Sequence, residues 1–362
     1  MFVIKILFPV LVAAIIVLLY FNVQVSGTED FNEKFEGKQV TSFHVDFEED
    51  TIEVGMIGDI LLHLPLYNYA SFLPTFEPVR KELETLDLLL ANQESLPTGK
   101  EFGLSGYPSF SSPPHIIGDL QKVGVDLLSI ANNHTLDQKE AGILSAIQQL
   151  KKYDMPYIGA YESFEDQKSD RVFHLKDVSI GFLSYTYGTN GHATPSGKEY
   201  LVSRIDPVKI TNDIRDLKTK VDIVIVSMHW GVEYETEPNS EQKELAQMMA
   251  NAGVDIIFGH HSHVVQPYEV ISTATGHQTH VFYSLGNFLS AQTMENTNVG
   301  GIAKITITKK TINGKQIYMV ENPTFVPTVV MKGDPFTIDL LKDVEDQVGV
   351  TDDWVQRHVF GE

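Results

Sequence analysis

The sequence predicts an α/β layered domain. One observation is that short runs of branched apolar residues, of the length of strands buried on both faces, alternate with segments of helical spacing. The other is that several of these runs share a plan: an aspartate, an apolar stretch, then groups able to hold metals or move protons. DLLLANQES from Asp87, DLLSIANNH from Asp126, DIVIVSMHWG from Asp222 and DIIFGHHSH from Asp255 follow it, and TIEVGMIGDILLH from Thr51 ends in the same way. Strands alternating with helices indicate layers of helix on sheet.

The helical patterns cover Glu77 to Leu86, Pro114 to Val123 with proline in the first turn, Gln138 to Tyr153, and Ser240 to Ala252. Ser240 is the expected N-cap of the last of these and Gly253 its stop. GIAKITITKK and KQIYMVENP, joined by Asn313-Gly314, predict a β-hairpin that adds antiparallel sheet after the last motif. From Met331 onward, DLLKDVEDQV and DDWVQRHVF read as two amphipathic helices, with Trp354, Val355 and Phe360 as the face docked on the body. Four segments result: a membrane anchor over 1–22, an acidic linker over 23–50, the main domain over 51–330 and a helical tail over 331–362.

The anchor is read from ILFPVLVAAIIVLLYF, Ile6 to Phe21, an uncharged run that with Met1 to Ile4 reaches the roughly 20 residues a bilayer core requires. Lys5 on its leading side and Glu29, Asp30 and Glu33 beyond it orient the bulk of the chain outward, at the cell membrane but extracytoplasmic. A cleaved leader ending near Val25-Ser26-Gly27 is the competing reading, and the apolar run is long for a leader core.

Composition narrows the function. The chain has 362 residues, 43% hydrophobic and 21% charged, enough for a sizeable core. Its 27 Lys and Arg against 48 Asp and Glu give a formal charge of -21, a field that opposes nucleic acid and other polyanions unless local cations reverse it. The absence of cysteine removes disulfides, thiolate metal sites, iron-sulfur clusters and cysteine nucleophiles.

Ligands in layered α/β folds collect at the carboxyl ends of the strands. The polar groups after each apolar run would converge there: Asp59, His63, Glu94, Asn133, His134, His229, His261 and His263. Oxygen and nitrogen donors without sulfur suit Mn, Fe or Zn, and eight candidates exceed one tetrahedral ion and fit a pair. Singly, most have an ordinary reading: Gly58-Asp59 and Asn132-Asn133 as turns, Glu94 in a solvated loop, His229 as a half-buried imidazole beside Trp230. His261-Ser262-His263 resists it, because two imidazoles one residue apart directly follow a buried strand. Metal-competent groups after five successive predicted strands are not expected from independent turns.

GDILLH, NQES, ANNHTLD, HWGVEY, GHHSHVVQP and YSLGNFL, in that order, resemble the CapA-type poly-gamma-glutamate capsule synthesis proteins, a family similar to the calcineurin-like metallophosphoesterases. The resemblance spans about residues 51 to 330 and implies a two-sheet sandwich flanked by helices. It implies a pair of divalent transition-metal ions held by Asp59, His63, Glu94, Asn133, His229, His261 and His263, with His134 outside the metal shell as proton donor. His63 departs from the parent spacing, D-x-x-x-H in place of D-x-H, and Glu94 stands where the parent has a bridging aspartate. Asp137 and Glu233 are then expected to orient His134 or His229 by hydrogen bonds, and Asn287 to act similarly. The implied function is assembly, export or anchoring of poly-gamma-glutamate with membrane-embedded synthetase partners, the metal site binding or cleaving an anionic polymer or phosphate-type substrate. The alternatives are an extracytoplasmic phosphoesterase unrelated to capsule and a scaffold that uses the cleft only for binding.

Overall fold

Aspartates, as well as apolar runs, build the sheets. The computed structural model describes residues 47–361, so the predicted anchor and all but the end of the predicted linker lie outside the described residues. Strands β1 (Phe47–Leu61), β2 (Leu88–Gln93), β3 (Val125–Ser129) and β4 (Tyr157–Ile158) begin a first sheet. Strands β5 (Val172–Leu175), β6 (Val178–Thr186), β7 (Ile223–His229), β8 (Ile256–His260), β9 (Val265–Ser272) and β10 (Gln278–Leu285) form a second. The chain then returns to the first with β11 (Asn287–Ser290), β12 (Val299–Ile312), β13 (Lys315–Met331) and β14 (Thr337–Leu340). The strand orders are β14-β13-β12-β1-β2-β3-β4, with β11 also paired to β1, and β5-β6-β7-β8-β10-β9.

Within the runs β1-β2-β3 and β6-β7-β8 the strands are parallel. The recurring aspartate stands at the amino end of its strand and accepts the backbone N–H of the strand before it in the chain. Asp87 takes Glu53 N at 2.9 Å, Asp126 takes Leu89 N at 2.9 Å, Asp222 takes Ser179 N at 2.8 Å and Asp255 takes Val224 N at 2.7 Å. Each satisfies a donor at the end of a parallel ladder and fixes register. One sequence pattern thus has two jobs: the aspartate ties the strands at one rim, and the polar residues after the apolar run emerge at the other.

The helices that flank the sheets are α1 (Ile116–Lys122), α2 (Lys139–Lys152), α3 (Pro207–Lys218) and α4 (Ser240–Ala252), followed by α5 (Leu341–Val348) and α6 (Asp352–Phe360). Between the sheets, Val54, Met56 and Leu90 cluster with Ile180, Ile225, Phe258 and Phe282. Outside the first sheet, Ile117, Leu120, Ile143 and Ile147 of α1 and α2 cluster with Leu89 and Leu128. Outside the second, Ile210, Ile214, Leu245 and Met249 of α3 and α4 cluster with Val224 and Val226. This is the predicted sandwich of two sheets flanked by helices.

Several details differ from expectation. Asn239, not Ser240, caps α4: its side chain accepts Gln242 N while Gln242 reaches back to the cap N–H, and Gly253 ends the helix at φ 104°. Over 77–86 only Arg80–Leu83 is α-helical, after a 3-10 turn at Glu77–Val79, since Pro78 lacks the N–H a longer helix would use. Helix α3 was not expected, although Asp206, which caps it through Val208 N and Lys209 N, and Pro207 are its signal. The tail is not wholly helical, because β14 pairs with β13 first. Val355 and Val359 dock into the inter-sheet core and Phe360 packs on Tyr268, but Trp354 is 44% exposed and stacks on His358 instead. The hairpin forms at Asn313 and Gly314, both at positive φ as a two-residue turn requires. Among the described residues no helix is long and apolar enough to cross a membrane.

Candidate metal centre

Asp59 does not sit in a turn. It lies within β1, at a register shift opposite Asn92 on one side and Asn287 on the other. Gly58 allows this: a side chain there would meet Gly286 O at 2.3 Å, and the same close approach brings Asp59 N to Gly286 O at 2.8 Å. The irregularity re-aims the carboxylate toward the end of β8. There Asp59 Oδ1 accepts Asn92 Nδ2 at 2.7 Å and His260 Nδ1 at 3.0 Å, and Oδ2 accepts His261 N at 3.2 Å.

The chain past β8 is bent to suit the site. His261 and His263 hold φ of 95° and 59°, conformations unfavourable for residues with a Cβ. His263 Nδ1 is shared between Asn287 Oδ1 at 3.1 Å and Asp59 Oδ2 at 3.2 Å, which turns Nε2 toward Glu94 Oε1 at 3.8 Å. His229, the last residue of β7, sets Nε2 3.0 Å from Asn133 Oδ1 and 3.6 Å from Glu94 Oε1. The His229 and His261 rings lie 4.7 Å apart, and Tyr187 packs on His261 with ring centres at 4.5 Å.

Three sets of side chains have ligand atoms mutually within 4.8 Å: Glu94, His229 and His261; Asp59, Glu94 and His263; and Glu233, His261 and His263. Asp59, Glu94, Asn133, His229, His261 and His263 are therefore brought together. His63 is not among these sets. Its Nδ1 donates to Leu61 O at 2.9 Å, and its ring meets Phe110 edge-on in the wall of the cleft, the consequence of the two residues added to the spacing after Asp59. Glu233, expected to orient an imidazole, instead has a ligand oxygen within reach of two of them and is exposed to solvent.

His134 stands beside this group. Its Nδ1 donates to Asp137 Oδ2 at 2.7 Å; that same oxygen accepts Phe110 N at 2.8 Å, and the Phe110 ring meets the imidazole edge-on at 4.7 Å. Asn132 shapes the loop by accepting His134 N at 3.0 Å and donating to Gln93 O at 3.0 Å. Asn92 and Tyr187 went unnoticed in the sequence. Asn92 lies inside NQES, but an amide there reads equally well as strand or loop, and nothing local to Tyr187 points to a site.

Burial and mutual charge set the protonation states. Burial raises Asp59, but hydrogen bonds from His260 and His263 outweigh it and hold the carboxylate well below its usual range. Burial pushes Glu94 well above its usual value. Burial lowers His229 strongly, with repulsion from His261 adding to it, and takes His261 down to about 3. Burial would lower His263 too, but Glu94 and Asp59 carry it up to about 9.

The residues fit divalent metal. Glu94 is 0% exposed, and neither of its carboxyl oxygens has a hydrogen-bond partner among the described residues; His260 Nε2 and His261 Nδ1 are similarly orphaned. Buried polar atoms are rarely left so, and an ion is one of the few groups that satisfies a carboxylate among imidazoles. A cleft of about 1030 Å³, lined in part by Asn133, His134, Asp137 and His263, leads from the centre to solvent.

The chain is 28% identical over 299 residues to the capsule biosynthesis protein CapA of Bacillus anthracis, covering 80% of this chain and 70% of that one. It is 27% identical over 315 residues to the PGA biosynthesis protein CapA of Bacillus subtilis (strain 168), covering 82% and 78%. Among solved structures, a Staphylococcus aureus protein described as a candidate 5'-nucleotidase in complex with alpha-ketoglutarate superposes with a TM-score of 0.50 at 16% identity, over 82% of this chain and 58% of that one. That likeness concerns the fold alone, an α/β architecture of two sheets flanked by helices. Residues 53–292, which carry the bulge at Asp59, the Asn132-Asn133-His134 loop and the strained turn after β8, match the model of the family "Bacterial capsule synthesis protein PGA_cap", and the chain belongs to that family.

Proposed function

We propose that this protein is a membrane-anchored, extracytoplasmic component of poly-gamma-glutamate capsule assembly, working with membrane-embedded synthetase or export subunits. Its cleft binds or hydrolyses an anionic substrate at a pair of Mn, Fe or Zn ions. The observation that carries the metal reading is Glu94, a buried carboxyl with no donor, common to two of the three potential ligand sets. Asp59, Glu94 and His263 would hold one ion, and Asn133, His229 and His261, with Glu94 between, the other. Such a pair supplies Lewis acidity, activates water and concentrates positive charge in an acidic protein.

The chain's own groups do the rest. Asp137 keeps the Nδ1 proton of His134 in place, so Nε2 is the atom free to exchange a proton with a group in the cleft. Phe110 seals one edge of that imidazole from water.

The test is complementation in a capsulated strain lacking this gene. The wild-type gene restores capsule, while Asp59→Ala and His134→Ala, expressed to the same level, do not. Capsule restored by Asp59→Ala would leave only a scaffold role. Capsule unaffected by the deletion, with phosphoester cleavage by the purified chain, would favour a phosphoesterase unrelated to capsule.

A further inference from the structure

Two segments at the candidate metal centre hold backbone that side chains disfavour. His261 and His263 do so in the turn after β8, and Tyr234 does so at φ 68° in the loop after β7. Residues 231–238 of that loop form neither helix nor strand, yet they bring Glu233 within reach of two imidazoles. Strained backbone keeps its place only where the surrounding structure over-determines it, so both segments need fastening.

Part of the fastening is local. Tyr234 N donates to Ser262 O at 2.7 Å, and Gln266 Nε2 donates to Glu235 O at 2.8 Å and Glu237 O at 3.3 Å. Gln266 is itself held, its Oε1 accepting Gln242 Nε2 of α4 at 2.8 Å. A further tie comes from the far end of the chain. His358 of α6 sets Nε2 3.1 Å from Thr236 O and 3.2 Å from Val265 O. Both partners are carbonyls, so that nitrogen carries a proton and shares it between them. Thr236 lies three residues past Glu233, and Val265 two past His263.

Helix α6 is built to hold this imidazole still. Val355 and Val359 are buried in the inter-sheet core, and Gln356 Nε2 donates to Phe325 O of β13 at 2.9 Å. Trp354, left 44% exposed, lies flat on the His358 ring with centres 5.3 Å apart and planes within 3°. The exposed indole thereby fixes the plane of the ring that makes the tie. The family match covers residues 53–292, and α6 lies beyond it.

We infer that His358 is a positioning residue for the metal centre: from the C-terminal helix it clamps the Glu233 loop to the His261–His263 turn, an inference that rests on the metal reading proposed above. Without the shared proton the two segments relax apart, the ligand atoms spread, and ions are held less tightly although the fold persists.

The test measures Mn affinity of the purified full chain by titration against a chelating dye, for wild type, His358→Phe, His358→Gln and Gln356→Ala. His358→Phe keeps a ring stacked on Trp354 and removes the donor. His358→Gln restores a donor near the place of Nε2. Gln356→Ala loosens the same helix at its tie to β13, away from the metal centre. Expected is a weakening of Mn affinity by about tenfold in His358→Phe, in the range of other residues that orient metal ligands, most of it regained in His358→Gln. Gln356→Ala lowers the melting temperature and leaves Mn affinity unchanged. Wild-type affinity in His358→Phe overturns the clamp and leaves the metal reading standing. Equal weakening in all three variants also overturns it, because a loosened tail rather than the shared proton is then responsible. A wild type that takes up no metal overturns the metal reading, and the clamp with it.

Discussion

Glu94 meets no donor among the described residues, so a proton and a cation are alternative ways of making its position tolerable. Burial raises its pKa, and the sign follows: in the metal-free chain the folded state keeps a proton that the unfolded state releases above about pH 4.3. The contribution is therefore favourable below that value and is lost as pH rises. Glu94→Gln removes the penalty, so at pH 7 the metal-free variant should melt about 2–4 °C above metal-free wild type, and the order should reverse when both are saturated with Mn. Calorimetry with and without metal checks both halves, and a variant that melts lower in each condition contradicts the assignment. Asp137→Ala should leave metal content intact but remove the acceptor that fixes His134. The nitrogen shifts of that ring should then move from a single Nδ1–H tautomer toward a mixture, whereas an unchanged pattern would deny Asp137 its role. Much of this neighbourhood was legible in the sequence: GHHSH, HWGVEY and NNHTLD named their histidines and Asp137. His63 misled because spacing alone does not reveal that its ring lies in the cleft wall against Phe110, outside the three ligand sets, and Glu233 was underrated because exposure and reach are not visible in a string.

The five apolar runs and their polar endings were readable as strands and rims because each is short, continuous and bounded by turns. The aspartate that opens four of them was visible too, but its partner is a backbone N–H on a neighbouring strand, which local sequence does not specify. Asp255→Ala should unpair Val224 N and release Lys218, whose Nζ lies 2.6 Å from that carboxylate. The cost should be about 1–3 kcal/mol in denaturant unfolding. Metal content should not change, because Asp255 lies at the amino end of β8 and the ligands lie past its carboxyl end. Loss of metal in this variant, with the fold retained, would break the division of labour between the two rims. Cap and helix starts were the least legible: Asn239 rather than Ser240, and Asp206-Pro207 overlooked, because Ser, Asn and Asp all suit a cap and tertiary packing chooses among them.

Asp59 and His263, separated by two hundred residues of chain, meet because β1 lies centrally in one sheet, β8 lies centrally in the other, and the two carboxyl-end rims face a common cleft. Parallel order within each sheet makes this possible, and alternation of strand and helix predicted it. The assignment of strands to two sheets was not readable from periodicity, since a single doubly wound sheet gives the same alternation; only the family resemblance separated them. The most direct measurement is the metal content of the full chain, purified without chelator and equilibrated with micromolar Mn or Zn, beside Asp59→Ala and Glu94→Gln. The account predicts about two ions per wild-type chain and a clear deficit in both variants. A wild-type chain that holds no transition metal, or variants that hold as much as wild type, would contradict it.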